Sequence, residues 1–177
     1  NTSANTVPVM RSSPGLKPSK FTTGTVTITT SGVATFTNVA LTGTAGSITL
    51  TYTISSPSSI TATQSISLVA GAPTQLIVKT AAATCQSRIA CVTQPIVWIA
   101  DADGNATTST EVVTATVSSG VATITGGSTA TASAGIATFS GFKLQGVAGN
   151  NDIQFSIASP SLTVTQSALP LTFGTAT

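Results

Sequence analysis

The residues of this chain that carry chemistry are few enough to take one at a time. Its 177 residues include no His and only four acids, Asp101, Asp103, Glu111 and Asp152. Without His, the Ser–His and Cys–His systems that activate a nucleophile are excluded. Asp101 with Asp103, or Glu111 with Asp152, can be paired on paper as general acid and base. With so few acids in all, turn and solvated-surface roles account for them better. Asp101-Ala-Asp-Gly-Asn105 opens like a calcium loop, but such a loop closes on a Glu at its twelfth position. The twelfth residue here is Val112, and Glu111 falls one place short. The run therefore reads as a turn, in which Asp and Asn tolerate the required backbone and Gly104 supplies positive φ. No phosphate-cradling Gly loop of the P-loop or Rossmann type occurs. No reaction and no cofactor are expected.

Cys85 and Cys91 lie six positions apart in a polar stretch. Two thiols with no His and no second Cys pair cannot complete a tetrahedral zinc site. A disulfide closing a short loop is expected ahead of two free thiols, worth about 2 kcal/mol by loop closure. It points to an oxidising, extracellular compartment. In Ile96-Val-Trp-Ile-Ala100, alternation separates Ile96, Trp98 and Ala100 from Val97 and Ile99, and either set can face a core. Asn1-Thr-Ser3 and Asn105-Ala-Thr107 fit the N-glycosylation pattern, a match that arises by chance in a chain rich in Ser and Thr.

Those residues must be positioned by strands. Ser and Thr supply about a third of the chain, 41% of residues are hydrophobic, and only 6% are charged. Thr and Val fit a pleated, half-buried surface, and the profile is all-β. Low charge with a mean hydropathy of +0.42 is the opposite of a disordered composition. Arg11, Lys17, Lys20, Lys79, Arg88 and Lys143 are scattered, so no basic patch for nucleic acid is expected. No apolar run approaches the ~20 residues of a membrane helix. Residues 1–20 are polar with three prolines and do not read as a signal peptide, so any signal is expected to have been removed.

The organising feature is a repeat. Gly32-Val-Ala-Thr-Phe-Thr-Asn-Val-Ala-Leu-Thr-Gly-Thr-Ala-Gly46 returns as Gly135-Ile-Ala-Thr-Phe-Ser-Gly-Phe-Lys-Leu-Gln-Gly-Val-Ala-Gly149, an offset of 135 − 32 = 103 residues. Two units are expected, 1–71 and 72–177. Strands are expected at 7–11, 25–29, 33–41, 48–54 and 60–68 in the first. In the second they are expected at 75–79, 94–100, 111–117, 121–124, 130–133, 136–144, 153–158 and 162–171. Many short strands with frequent turns mark a sandwich or barrel. The first unit has no counterpart of residues 72–104, and Gly174-Thr-Ala-Thr177 matches Gly71-Ala-Pro-Thr74, where another strand would start. Either the chain is a segment of a longer array, or a strand from another subunit completes the first unit. A sandwich without those strands leaves an apolar groove and unpaired edges.

Gln75-Leu-Ile-Val, Gln94-Pro-Ile-Val-Trp-Ile-Ala-Asp-Ala-Asp-Gly-Asn105, Val113-Thr-Ala-Thr-Val-Ser-Ser-Gly120 and Gly135-Ile-Ala-Thr-Phe139 together resemble the bacterial immunoglobulin-like repeats of invasin- and adhesin-type surface proteins. The resemblance spans 72–177 and, as a partial copy, 1–71. It implies two tandem immunoglobulin-like β-sandwich domains, the N-terminal one lacking its first strands, displayed outside the cell. It implies a spacer, adhesive or polymer-forming role and no catalytic residues. The family pattern Pro-x-Val-x-Val-x-Asp implies Val97 and Ile99 in the core. Trp98, with Ile96, then faces outward as an interface anchor. Cys85 and Cys91 depart from the family. The expected partners are further copies or repeats, with a glycan or host surface as a possible target. The alternatives are a carbohydrate-binding module, which needs a line of exposed aromatics, and a virion fibre or decoration protein.

Overall fold

The computed structural model describes residues 9–11, 20–28, 33–54 and 60–173. Strands and turns make up all of it, with no helix among the described residues. The chain divides into two compact units, Asn1–Val69 and Ala70–Thr177.

The first unit contains β1 (Val9–Arg11), β2 (Lys20–Ile28), β3 (Ala34–Thr42), β4 (Gly46–Ile54) and β5 (Ile60–Leu68). β2 and β3 pair antiparallel, and β4 lies between β1 and β5 in a three-stranded sheet. Strict alternation along β4 buries Ile48 and Leu50 and leaves Ser47 and Thr49 exposed, as a period of two requires. Phe36 on β3 meets Tyr52 on β4 edge to face, with ring centroids 5.0 Å apart.

The second unit contains β6 (Gln75–Thr80), β7 (Cys85–Gln86), β8 (Ile96–Ala100), β9 (Val112–Ser119) and β10 (Thr123–Gly126). After these come β11 (Thr129–Thr131), β12 (Ile136–Thr138), β13 (Lys143–Gln145), β14 (Gly149–Ile157) and β15 (Leu162–Thr172). One sheet has the order β11-β9-β14-β15-β7, a second β12-β8-β6, and β10 pairs with β13. All neighbours are antiparallel except β7, which runs parallel to β15 with Cys85 opposite Leu171 and Gln86 opposite Thr172. Leu76, Val97, Ile99 and Ala137 from the three-stranded sheet join one buried cluster with Val113, Ile153, Phe155, Leu169 and Leu171 from the five-stranded sheet. Two sheets sharing one core in this way fit a β-sandwich. Gly135 is fixed by close approach: with φ at 75°, an added Cβ would lie 2.5 Å from the Thr107 carbonyl oxygen, so no other residue fits.

The repeat is visible in the backbone. Phe139 and Phe155, each 103 positions beyond Phe36 and Tyr52, make the same edge-to-face contact at 5.3 Å. Asn38 (φ 56°) and Gly141 (φ 67°) share the left-handed region, as do Gly46 (φ 146°) and Gly149 (φ 155°). Gly46 faces Leu68 across β4–β5, and Gly149 faces Leu171 across β14–β15. The order β1-β4-β5 matches β9-β14-β15. Among the described residues, β6, β7 and β8 have no counterpart in the first unit.

Sequence and structure part at a few places. The single strand expected over 136–144 is two strands, β12 and β13, because Phe139 and Phe142 are both fully buried. Two residues three apart cannot share one face of a continuous strand, and Gly141 in the left-handed region turns the chain between them. β7 lies inside what reads as a cysteine loop, and β14 starts at Gly149 rather than at 153. The expected strand at 7–11 falls partly outside the described residues, as does residue 29.

Candidate interaction site

β8 divides its side chains as alternation demands. Val97 and Ile99 are fully buried in the core, whereas Ile96 and Trp98 are half-buried on the opposite face. Register places Ile77 of β6 on one side of Trp98 and Ile136 of β12 on the other. An apolar row thus crosses the outer face of the three-stranded sheet, with Ile96 beside it. Lys79 lays its Nζ 4.2 Å from the centre of the Trp98 ring, a cation–π contact of about 0.5–1 kcal/mol at an exposed site. A face of this composition, one large aromatic among branched aliphatics with a cation at its edge, suits packing against another protein surface.

The Asp101 turn is filled by the chain's own donors. Asp101 Oδ1 accepts from the backbone N–H groups of Asp103 (3.0 Å) and Asn105 (2.9 Å), and Oδ2 accepts from Gly71 N–H (2.9 Å). Asn105 Nδ2 donates to both carboxylate oxygens, at 3.2 and 2.9 Å. Burial alone pushes this carboxyl up, but the donors from the Asn105 side chain and from the Gly71, Asn105 and Asp103 backbone outweigh it and hold it below the usual 3.8. The carboxylate is a structural acceptor that ties Gly71, at the start of the second unit, to the turn after β8, and the Asp101 backbone carbonyl adds a second tie by accepting from Gln75 Nε2 at 2.6 Å. No group of three His, Cys, Asp or Glu suited to a metal ion exists among the described residues. Asp152 Oδ1 accepts from Ala168 N–H at 2.8 Å, supporting the backbone where β15 bulges. Of the two glycosylation matches, Asn105 has its amide turned to Asp101, and Asn1 lies outside the described residues.

Cys85 and Cys91 form a disulfide, and both are buried. The loop they close is anchored from both sides. Cys91 N–H donates to the Phe142 carbonyl (2.9 Å), and Gln94 bridges the Cys91 carbonyl (2.6 Å) and Phe142 N–H (2.7 Å). The cross-link fixes the short segment that adds β7 to β15.

One residue escapes a reading by chemistry alone. Gln166 on β15 accepts from Ala82 N–H through Oε1 and donates to the Ala82 carbonyl through Nε2, both at 2.8 Å. Its side chain copies the two-way pairing of a strand and grips the segment just before β7. The signal for it is the run Thr-x-Thr-Gln-Ser, which occurs at 61–65 and again at 163–167.

No helix of the described residues is long and apolar enough to cross a membrane. Comparison with protein-family models, with curated proteins and with solved structures returned no match.

Proposed function

We propose that this protein is a non-catalytic structural protein of the cell exterior. It is a segment or subunit of a bacterial surface filament or adhesin stalk built from immunoglobulin-like repeats. The observation that carries this reading is the strand order of residues 75–172 together with its partial recurrence in the first unit. An immunoglobulin-type sandwich sets strands A, B and E on one sheet and C, F and G on the other. β6, β8 and β12 take the first set of places, and β9, β14 and β15 the second. A buried disulfide supports an oxidising compartment. The Trp98 row, with Ile96, serves as a lateral contact between subunits.

A carbohydrate-binding module is less well supported. Trp98 is the one Trp, and Lys79 sits over its ring where a sugar would stack. Negative-stain electron microscopy of the purified chain tests the proposal. Rods or fibrils are expected, and particles that stay dispersed across the accessible concentration range would oppose it.

A further inference from the structure

One end of the second unit carries side chains that a spacer does not need. The segment after β7, the β9–β10 turn, the β13–β14 turn and the end of β15 meet there. Val121, Val147 and Phe173 are 70%, 63% and 61% exposed. With Ser87, Arg88 and Gln145 they line an open hollow of about 540 Å³. Small-molecule sites commonly measure about 300–1,000 Å³. The repeat supplies an internal comparison. The residues 103 positions before Gln145, Val147 and Phe173 are Thr42, Thr44 and Ala70. The ring and the branched side chain at these places are therefore particular to the second unit.

Arg88 is held in place by its surroundings. It lies within the loop closed by Cys85–Cys91. Ser87 N–H donates to the Thr172 carbonyl (2.9 Å), Arg88 N–H to the Leu144 carbonyl (2.7 Å) and Ile89 N–H to the Gln86 carbonyl (3.1 Å). Ser87 Oγ donates to the Gly146 carbonyl and accepts from the Gly146 N–H, both at 3.3 Å. These ties hold Arg88 at φ 70°. A residue with a Cβ adopts that left-handed conformation at a cost, and such strain recurs at ligand clamps. The guanidinium has no hydrogen bond or ion pair among the described residues, and none of the four acids lines the hollow.

We infer that this hollow binds a small organic carboxylate with an apolar face. Arg88 takes the carboxylate, since the guanidinium fork matches its two oxygens. Phe173, Val121 and Val147 take the apolar face, and the exposed Gln145 offers an amide at the rim. A bare inorganic anion leaves the apolar side chains in water, and a neutral apolar molecule leaves the guanidinium unmet. An acidic sugar and an aromatic acid both carry the required chemistry. The inference goes beyond the filament reading and does not depend on it, because a dispersed chain carries the same hollow.

The test is titration of the full chain with phenylacetate and, separately, with glucuronate, followed by the amide shifts of residues 87–89, 145–147 and 173. Saturable shifts confined to these residues are expected with at least one of the two, at a Kd of about 1 mM for so open a site. Whichever acid binds assigns the source. Phenylacetamide, which keeps the ring and lacks the charge, should bind at least about tenfold more weakly than phenylacetate. Arg88→Gln should weaken binding about tenfold, and Phe173→Ala about fivefold. Arg88→Lys, which keeps the charge without the fork, should fall between the parent and Arg88→Gln. Both positions are exposed, so these replacements leave folding intact, and an unchanged Trp98 unfolding midpoint checks that. No saturable shift with either acid, shifts lying away from the hollow, or binding that ignores Arg88→Gln would overturn the inference. Inorganic phosphate bound at 87–89 as tightly as the carboxylates would also overturn it, leaving a plain anion contact. None of these outcomes bears on the rods or fibrils sought by electron microscopy, so the site and the filament fail separately.

Discussion

Replacing Asp101 with Ala removes a single acceptor that serves three backbone N–H groups and one side-chain amide. A hydrogen bond to a charged group contributes about 1.5–3 kcal/mol, and a donor left buried without a partner loses most of that. Water can reach part of this turn, so the four losses do not add, and a destabilisation of about 2–3 kcal/mol is expected at neutral pH. Trp98 is the one Trp of the chain and lies in the second unit, so its fluorescence during urea unfolding reports that unit alone. The midpoint should fall by about 1–2 M, with the slope unchanged. The pH dependence follows from the same geometry. The folded carboxyl sits below its ordinary 3.8, so its contribution is fully present above that value and is lost as pH falls through the folded pKa. The gap between the parent chain and Asp101→Ala should therefore narrow below about pH 4. A destabilisation under about 0.5 kcal/mol at pH 7, or a gap unchanged down to pH 2, would refute the structural-acceptor role. Asp101→Asn, which keeps one acceptor oxygen, should fall between the two.

Other perturbations separate the two units and the two faces. Reducing the Cys85–Cys91 bond, or replacing both residues by Ser, should lower the stability of the second unit by about 2 kcal/mol in the same fluorescence assay. Phe139→Ala should cost about 3–5 kcal/mol, the usual range for a fully buried Phe. Phe36→Ala, at the same repeat position but half-exposed, should cost less than half as much, read from the amide exchange of β3 and β4. Trp98→Ser should change stability by no more than about 1 kcal/mol, since it removes a half-buried ring and one cation–π contact. The same variant should sharply reduce association in sedimentation runs, and association equal to that of the parent would remove Trp98 from any interface.

Alternation was enough to place most strands from the sequence, because a period of two is written directly in runs such as Ile48-Thr-Leu-Thr-Tyr-Thr-Ile54. β5 covers the expected 60–68, and β4 extends the expected 48–54 by two residues. Alternation alone left the face of Trp98 open, and it was the resemblance to the Pro-x-Val-x-Val-x-Asp pattern that implied Val97 and Ile99 in the core, where both are buried. What could not be read depends on tertiary partners. β7 is two residues long and exists only because β15 offers it an edge, so no local pattern announces it. The break between β12 and β13 comes from two buried Phe residues on opposite parities that both join the one buried cluster. The Asp101 turn was legible as a turn. That its carboxylate also reaches back to Gly71, 30 residues earlier, was not. Gln166 was written twice in the sequence as Thr-x-Thr-Gln-Ser, yet its role appears only when Ala82 comes within reach.

The most direct measurement compares amide exchange at two matched places in the dispersed protein, residues 66–68 and residues 169–171. If the second unit is closed by β6, β7 and β8, and the described residues of the first hold no counterpart of them, exchange at 66–68 should be faster by at least about a hundredfold. That is the signature of an edge that opens locally against one that opens only with its whole unit. Equal protection at the two places in dispersed protein would contradict an open first unit.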